Sequence, residues 1–128
     1  MGYETRKVMV VDDSSVMRQI IKNNLKQLGF DLTNLLDAED GEEALSKIGG
    51  NEVDLVISDW NMPRMTGIDF LRAIRSDGAL KELPFLMVTS EADKEKIMEA
   101  VQAGVNQYIV KPFNANQLEE KIKEIFPN

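Results

Sequence analysis

Short apolar runs recur along this chain, and four of them end in polar residues. The runs are Val8–Val11 before Asp12 and Asp13, Leu55–Ser58 before Asp59, Phe85–Val88 before Thr89 and Ser90, and Tyr108–Val110 before Lys111. If these runs are parallel strands of one sheet, their carboxyl ends meet at one edge, where open α/β sheets bind ligands. The pattern therefore predicts three carboxylates, a hydroxyl and an ammonium at one edge of a sheet.

Segments of helical period separate the strand-like runs. Apolar residues recur at three- and four-residue steps, most clearly Val16, Met17, Ile20, Ile21, Leu25 and Leu28 in the first helix, and Ile97, Met98 and Val101 in the fourth. A weaker second strand is expected at Leu32–Leu36, and Gly29 and Gly104 are expected to end helices. Five βα units in succession predict an α/β protein, a (βα)5 doubly wound parallel sheet of five strands with helices on both faces.

The composition removes several kinds of chemistry. The chain has no histidine and no cysteine, so any metal must be held by oxygen, which favours Mg²⁺, Mn²⁺ or Ca²⁺ over zinc. Acidic residues outnumber basic ones 22 to 15, and the net charge of −7 disfavours nucleic acid and anionic membranes. No apolar stretch approaches the roughly 18 residues of a membrane span, and residues 1–7 precede no signal-peptide core. We therefore expect a cytoplasmic protein that binds neither nucleic acid nor membrane.

The adjacent acids Asp12 and Asp13 allow two interpretations. Taken alone, Asp13 or Ser14 would simply cap the helix that follows. Asp59 favours a different interpretation, because the first and third strands of a doubly wound sheet are neighbours and would bring the three carboxylates together. Such carboxylates repel one another unless a cation offsets the cost. Mg²⁺ fits best, since it takes carboxylates, waters and phosphate oxygens as ligands.

Phosphoryl chemistry suits the same residues. Asp59 lies centrally and could be a nucleophile, because carboxylates accept phosphoryl groups as acyl phosphates. Asp12 and Asp13 would then hold the metal. Lys111 would pair with one phosphoryl oxygen, and the Thr89 hydroxyl would hydrogen-bond another. A solvated lysine at 111 and a strand-end cap at 89 are the simpler interpretations of each residue alone.

Six segments in order resemble the receiver domain of two-component response regulators. They are Val10–Arg18, Ala38–Leu45, Ser58–Pro63 with Gly67, Leu86–Glu91, Ala103–Gly104 and Tyr108–Phe113. Within that family the chain is most similar to the single-domain chemotaxis regulators. The resemblance runs from about Lys7 to Phe126 and implies the flavodoxin-like strand order 2-1-3-4-5. We expect one receiver domain over residues 1–128, with no output domain.

The resemblance implies a role for each residue of the site. Asp59 would be the phosphoacceptor, and Thr89 and Lys111 would contact the phosphoryl group. The implied Mg²⁺ ligands are Asp13, Asp59 and the backbone carbonyl of Asn61, with Asp12 acting mainly through metal-bound water. A cis peptide bond is implied before Pro112. The chain would then be a phosphoacceptor signalling protein and not an enzyme, with only self-catalysed phosphotransfer and slow autodephosphorylation.

A switch and a set of partners are implied as well. Movement of the Thr89 hydroxyl toward a phosphoryl group would let the Tyr108 ring turn inward and repack the face formed by the fourth helix, fifth strand and fifth helix. Positions matching the partner contact are Lys94, Tyr108 and Lys121, with Asp93 in place of the lysine of the enteric pattern. The implied partners are a histidine kinase of the CheA type, the flagellar motor switch and, where one exists, a dedicated phosphatase. The chain itself is expected to be a monomer.

Trp60 and Glu91 are expected to flank the site. Trp60 is expected to be a partly exposed aromatic and, by the resemblance, a fluorescence reporter of metal and phosphate. Asn61 and Glu91 are expected to tune hydrolysis by controlling the access of water.

Three alternative functions share some of these features. A phosphatase of the haloacid-dehalogenase class also uses an aspartyl nucleophile and Mg²⁺, but in an Asp-x-Asp pattern after the first strand. A flavodoxin-like protein would bind flavin mononucleotide, although Asp12 and Asp13 would repel its phosphate. A stand-alone receiver could instead act as a phosphate sink or phosphorelay intermediate, which binding to the motor switch would decide.

Overall fold

In the part of the chain that the structure describes, five parallel strands form a central sheet, and five α-helices pack on its two faces. The computed structural model describes residues 3–90 and 93–127. The elements in chain order are β1 Val8–Val11, α1 Ser15–Gln27, a 3-10 turn Leu32–Asn34, β2 Leu35–Ala38, α2 Gly41–Ile48, β3 Leu55–Asp59, α3 Gly67–Ser76, β4 Phe85–Thr89, α4 Lys94–Gln102, β5 Gln107–Val110 and α5 Ala115–Ile125. The strand order is β2-β1-β3-β4-β5, with every neighbouring pair parallel. The predicted fold class and strand order are confirmed.

The side chains of the sheet belong to two separate apolar layers, one on each face. Met9 and Val56 belong to the layer under α2, α3 and α4, whereas Val10 and Ile57 belong to the layer under α1 and α5. Strands β1, β3 and β4 are buried along their whole length, as expected for strands covered on both faces. Because both faces of the sheet are covered, the ends of these central strands are where polar side chains can reach solvent.

Each helix of the described part of the chain begins after a side chain that caps it. The capping residues are Ser14, Asp40, Thr66, Asp93 and Asn114. Such caps satisfy backbone N–H groups that have no partner within the helix. Gly29 and Gly104, with φ of 109° and 98°, follow the ends of α1 and α4 as predicted. Within residues 3–90 and 93–127, none of the helices combines the length and apolarity needed to cross a bilayer.

The second strand begins at Leu35 and not at Leu32, so its predicted start was wrong. The Asp31 carboxylate accepts hydrogen bonds from the Thr33 backbone N–H at 2.9 Å and from the Thr33 hydroxyl at 2.8 Å. These bonds hold Leu32–Asn34 in the 3-10 turn. Aspartate competes in this way with extended backbone structure, which a count of apolar residues does not register.

The apolar stripes predicted for α1 and α4 are only partly buried. In α1, Ile21 is buried but Val16 is 68% exposed. In α4, the buried residue is Ala100, while Met98 and Val101 are 50% and 58% exposed. Helical spacing therefore identifies apolar residues on a helix, but only the packing of the helix against the sheet shows which of them are buried.

Asp40 ties the start of α2 to the loop after β3. Its buried carboxylate accepts a hydrogen bond from the Glu43 backbone N–H at 2.9 Å and another from Arg64 Nε at 2.7 Å. Arg64 adopts a φ of 63°, an uncommon conformation for a residue other than glycine. The Glu43 bond, joined by the Arg64 cation and opposed by burial, lowers the pKa of Asp40.

We expect Asp40→Ala to lower the free energy of unfolding at pH 7 by about 1–2 kcal/mol, the usual cost of a lost helix cap. The pKa of Asp40 is lower in the folded than in the unfolded state. Its contribution is therefore complete above the unfolded pKa of about 3.9 and is lost as the pH falls through the folded value. The free energies of unfolding in urea, measured at pH 7 and at a pH below the folded pKa of Asp40, test this. Asp40→Asn, which keeps the capping acceptor but not the charge, should lose less at pH 7. Equal stability of Asp40→Ala and the parent protein would contradict the assignment.

Candidate functional site

The register of the sheet brings the predicted site residues to one edge. The paired residues near this edge are Val11 with Ser58, Asp59 with Val88, and Thr89 with Val110. Asp12 directly follows the paired Val11 and therefore lies at the level of Asp59, whereas Thr89 and Lys111 lie one and two residues further along at the same edge. The Lys111 backbone N–H donates to the Thr89 carbonyl at 2.8 Å, which extends the ladder to the site itself.

Asp12, Asp13 and Asp59 form a single acidic cluster. One carboxylate oxygen from each lies within 4.8 Å of the others. Asp12 and Asp59 are buried, with 1% and 8% of their surface exposed, whereas Asp13 is exposed at the rim. The cluster therefore has two acids at its floor and one at its mouth, where a ligand from solvent can enter.

Lys111 provides the positive charge of the site. Its Nζ atom lies 3.3 Å from Oδ1 of Asp59 and 3.5 Å from Oδ2 of Asp12. The Lys111–Pro112 peptide bond is cis, as the resemblance implied. One ammonium thus faces both buried carboxylates.

The two buried acids titrate abnormally. Burial raises the pKa of Asp12, and hydrogen bonding from the Ser14 backbone and the charge of Lys111 only partly oppose it. Burial also raises the pKa of Asp59, followed by repulsion from Asp12, with Lys111 again opposing. Ionising both acids therefore costs free energy in the metal-free protein.

The donor set fits a small divalent cation. Oδ2 of Asp12 is buried and accepts no hydrogen bond from the described residues. Its contact with Lys111 is a long ion pair at 3.5 Å, so this buried oxygen keeps acceptor capacity that a cation would satisfy. Carboxylate oxygens are hard ligands, of the kind that Mg²⁺ takes together with waters. The predicted gathering of the three acids is confirmed, and their chemistry suits Mg²⁺.

Ser14 takes the capping role that the sequence left open between it and Asp13. Its hydroxyl accepts a hydrogen bond from the Met17 backbone N–H at 3.1 Å. Its own backbone N–H donates to Oδ1 of Asp12 at 2.9 Å. The Asp13 side chain is therefore not the cap of α1, and it lies within the acidic cluster instead.

Trp60 is buried, with 5% of its surface exposed, so the expectation of a partly exposed ring was wrong. Its ring belongs to the apolar layer under α2, α3 and α4, and Lys96 Nζ lies 5.2 Å from the ring centroid. Its backbone N–H donates to Oδ1 of Asp59 at 2.8 Å. The Lys96 ammonium lies over the ring, which local sequence does not reveal because Lys96 belongs to α4.

Thr89 and Tyr108 line a shared narrow space between the sheet and α4. The space is too tight for water and is lined by Trp60, Met87, Thr89, Lys96, Ile97, Ala100 and Tyr108. Thr89 is buried and Tyr108 is half-buried. The predicted switch pair thus lies together, next to the acidic cluster.

The residues predicted to contact a partner lie on α4, β5 and α5. Lys94 is exposed in the first turn of α4, and Lys121 Nζ lies 5.4 Å from the centroid of the Tyr108 ring. Asp93 caps α4 by accepting a hydrogen bond from the Glu95 backbone N–H at 2.8 Å. Glu91 lies outside the described residues, and Asn61 is exposed beside the site.

The sequence analysis missed Arg18. This α1 residue donates from NH1 to the Asp12 carbonyl at 2.7 Å and from Nε to the Asp37 carboxylate at 3.0 Å. A usable signal was present, because Arg18 lies three and seven residues before the buried Ile21 and Leu25. A charged residue on the buried face of a helix needs a polar partner nearby.

Comparisons with known proteins agree with this geometry. The chain matches the response regulator receiver domain family over residues 8–123. It is 57% identical over 120 residues to the chemotaxis protein CheY of Pseudomonas aeruginosa, covering 94% of this chain and 95% of that protein. It is 54% identical over 120 residues to the chemotaxis protein CheY-3 of Vibrio cholerae, covering 94% and 91%.

Solved structures show the same architecture. The chemotaxis response regulator CheY4 of Vibrio cholerae superposes with a TM-score of 0.85 at 38% identity, covering 94% of this chain and 98% of that one. A response regulator receiver domain protein from Clostridium thermocellum gives a TM-score of 0.84 at 29% identity, covering 95% and 94%.

A doubly wound sheet with an acidic pocket and a lysine at its carboxyl edge defines the class of two-component receiver domains, which generally bind Mg²⁺ at such a pocket. The chain belongs to the response regulator receiver domain family. Within it, the chain is a CheY-like response regulator, consistent with chemotaxis response regulation. These matches are to this family, and not to the haloacid-dehalogenase or flavodoxin families that share some of its features.

Proposed function

We propose that this chain is a chemotaxis response regulator that accepts a phosphoryl group on Asp59 in a Mg²⁺-dependent reaction. The observation that carries the proposal is the placement of Asp59. Its carboxylate lies within 4.8 Å of those of Asp12 and Asp13, and 3.3 Å from the Lys111 ammonium. These 128 residues contain no histidine, so the phosphohistidine donor lies outside them, and we propose that it is a kinase of the CheA type.

The chain's own groups define the transfer. Oδ1 of Asp59 accepts the Trp60 N–H and faces Lys111, so we assign Oδ2 as the attacking atom. The Oδ2–P bond forms as the P–N bond of the donor breaks, and the electron pair leaves with the imidazole. Lys111 then pairs with one oxygen of the phosphoryl group, and the Thr89 hydroxyl donates to another. The metal would be held by Asp12, Asp13, Asp59 and the Asn61 carbonyl, and would offset the charge of the phosphoryl oxygens.

The narrow space lined by Thr89 and Tyr108 suggests how phosphorylation would change the partner-binding surface. Drawing the Thr89 hydroxyl toward the phosphoryl group vacates room beneath α4, and the half-buried Tyr108 ring moves into it. Lys121, which lies over that ring, and Lys94 then belong to the surface that changes. The proposed target of this α4-β5-α5 face is the flagellar motor switch, in the cytoplasm. Binding of the phosphorylated chain to that switch distinguishes this role from a phosphate sink.

Incubation with acetyl phosphate and Mg²⁺ should add the mass of one phosphoryl group per chain. The reason is that the acceptor and its charge partners all lie on this chain, so a small donor can replace the kinase. Intact mass spectrometry measures the gain, and the same incubation with a chelator in place of Mg²⁺ is the control. An unchanged mass with metal present would refute the proposed function. Continuous release of phosphate at high turnover would instead indicate a phosphatase.

Mg²⁺ is expected to stabilise the protein strongly at pH 7 and weakly near pH 4. The pKa of Asp12 and of Asp59 is raised in the folded state, chiefly by burial, so their ionisation costs stability as the pH rises through those values. Bound metal removes that cost at pH 7, whereas at pH 4 protons compete with it. At about 100 times its Kd the gain in unfolding free energy is about 2.7 kcal/mol. Thermal unfolding with and without Mg²⁺, at matched ionic strength, measures it. An equal gain in unfolding free energy at pH 7 and at pH 4 would contradict metal binding to the ionised forms of Asp12 and Asp59.

The buried position of Trp60 beside Asp59 also supports its use as a reporter. Its backbone N–H bonds to the proposed acceptor, so a charge arriving at Asp59 lies close to the indole. Emission from Trp60, the one tryptophan of the chain, can therefore follow both metal and phosphate.

A further inference from the structure

Arg18 connects three elements at the base of the acidic cluster. It lies on α1, its NH1 donates to the Asp12 backbone carbonyl at 2.7 Å, and its Nε donates to Oδ2 of Asp37 on β2 at 3.0 Å. Its side chain is only 15% exposed. A charge-assisted hydrogen bond this short, with the guanidinium held from both sides, is a strong and directional contact.

The carbonyl that Arg18 holds belongs to the peptide unit between Asp12 and Asp13. Because the peptide is planar, holding this unit fixes ψ of Asp12 and φ of Asp13, the two torsions that set the side chains relative to each other. Here Asp12 is directed into the buried floor of the cluster, while Asp13 remains at its exposed mouth. A rotation of this peptide would move the two carboxylates apart.

We infer that Arg18 is a positioning residue for the metal site, acting by holding the Asp12–Asp13 peptide in the orientation that lets both carboxylates reach one cation. The inference rests on the proposed function and adds a residue to it. Arg18 touches neither the carboxylates of the cluster nor Lys111 in the contacts found among the described residues. Its influence is exerted through the backbone, as is typical of residues that orient metal ligands from behind.

The sign of the effect separates positioning from simple electrostatics. Arg18 is a cation close to an acidic cluster, so its charge alone opposes the binding of Mg²⁺. If charge were its main influence, removing Arg18 would tighten metal binding. If positioning is its main influence, removing it weakens metal binding in spite of the lost repulsion.

Lys22 supplies a matched control for the charge. It lies one helical turn after Arg18, and its Nζ contacts the same Asp37 oxygen at 3.4 Å with a similar side-chain exposure of 22%. Its Nζ bonds to Asp37, and among the described residues it is Arg18 that donates to the Asp12 carbonyl. Lys22→Met therefore removes a neighbouring cation and an Asp37 contact without freeing the peptide.

The test compares the Mg²⁺ affinity of Arg18→Met, Lys22→Met and the parent protein, from amide NMR shifts of residues 12–14 and 59–60 during metal titration. We expect Arg18→Met to bind Mg²⁺ about tenfold more weakly than the parent, a typical effect of losing a group that orients metal ligands. Lys22→Met should bind as tightly as the parent, or more tightly. Equal affinities of the two variants, or tighter binding by Arg18→Met, would overturn the inference.

Two further measurements keep the test decisive. If Arg18→Met does not fold, Arg18→Ala, which likewise leaves the Asp12 carbonyl without a side-chain donor, is titrated against Lys22→Met by the same criterion. Acetyl phosphate labelling of each folded variant should fall in step with its metal affinity. Failure of the parent protein to bind Mg²⁺ or to gain a phosphoryl group refutes the proposed function. If the parent protein binds Mg²⁺ and gains a phosphoryl group, and the Arg18 variants bind Mg²⁺ as tightly as the parent, only the role of Arg18 is refuted.

Discussion

Replacing Asp59 with asparagine is expected to abolish the gain of a phosphoryl group from acetyl phosphate. The amide lacks the charge that makes a carboxylate oxygen nucleophilic, and among residues 3–90 and 93–127 no other carboxylate occupies the same place beside Lys111 and Trp60 N–H. Asp12 approaches Lys111, but one of its oxygens is held by the Ser14 backbone and the other lies at the buried floor. We therefore expect no transfer of the reaction to Asp12.

The same substitution should stabilise the metal-free protein at pH 7. Burial, and then repulsion from Asp12, raise the pKa of Asp59 in the folded state above its unfolded value. Its ionisation therefore opposes folding once the pH exceeds the folded pKa, and asparagine removes that opposition. Loss of labelling together with a higher melting temperature would show that Asp59→Asn removed the acceptor without damaging the fold.

Asp69→Asn is the matched control for this experiment. Asp69 is an exposed carboxylate in the first turn of α3, with a surface ion pair to Arg72 at 3.4 Å. Surface pairs of this kind contribute little to stability. The control should keep full labelling and an unchanged melting temperature. Persistent labelling of Asp59→Asn would show that a different residue is the acceptor.

Replacing Gly67 with alanine is expected to lower the free energy of unfolding by at least about 3 kcal/mol, the upper range for overpacking of a well-packed site. A Cβ atom at Gly67 would lie 2.2 Å from the Asp59 carbonyl oxygen and 2.9 Å from the Trp60 Cα. The Gly67 N–H also donates to the Trp60 carbonyl at 2.8 Å, so α3 begins directly against the end of β3. Both obstacles are backbone, which cannot move aside as a flexible side chain can.

The alanine variant should also impair the site, because the backbone that must move carries Asp59. We expect urea unfolding to show the loss of stability and mass spectrometry to show reduced labelling by acetyl phosphate. Gly50→Ala is the control, since a Cβ there meets nothing within 4 Å and Gly50 does not adopt a positive φ. It should change the unfolding free energy by less than about 1 kcal/mol. A Gly67→Ala protein as stable as Gly50→Ala would contradict the close approach.

Much of the architecture could be predicted because the relevant signals are local. Buried parallel strands have continuous apolar runs, so β1, β3, β4 and β5 were located to within a residue at each end. The start of β2 could not be located in this way, because Asp31 bonds its own neighbours and replaces the first part of the expected strand with a turn. Burial of Trp60 was missed for a different reason, since the cover comes partly from Lys96, which is distant in sequence.

The order of residues along the chain was enough to show which residues end the strands and which chemistry they can support. Strand formation depends on short-range periodicity, and the absence of histidine and cysteine leaves only oxygen ligands for a metal. Three features of the site became clear from the folded structure alone. Asp12 is buried while Asp13 is exposed, and Ser14, not Asp13, caps α1. Arg18 holds the peptide between Asp12 and Asp13. These features depend on strand register and on contacts between elements far apart in the chain. Their energies are set by distances of a few ångströms, which spacing along a sequence does not specify.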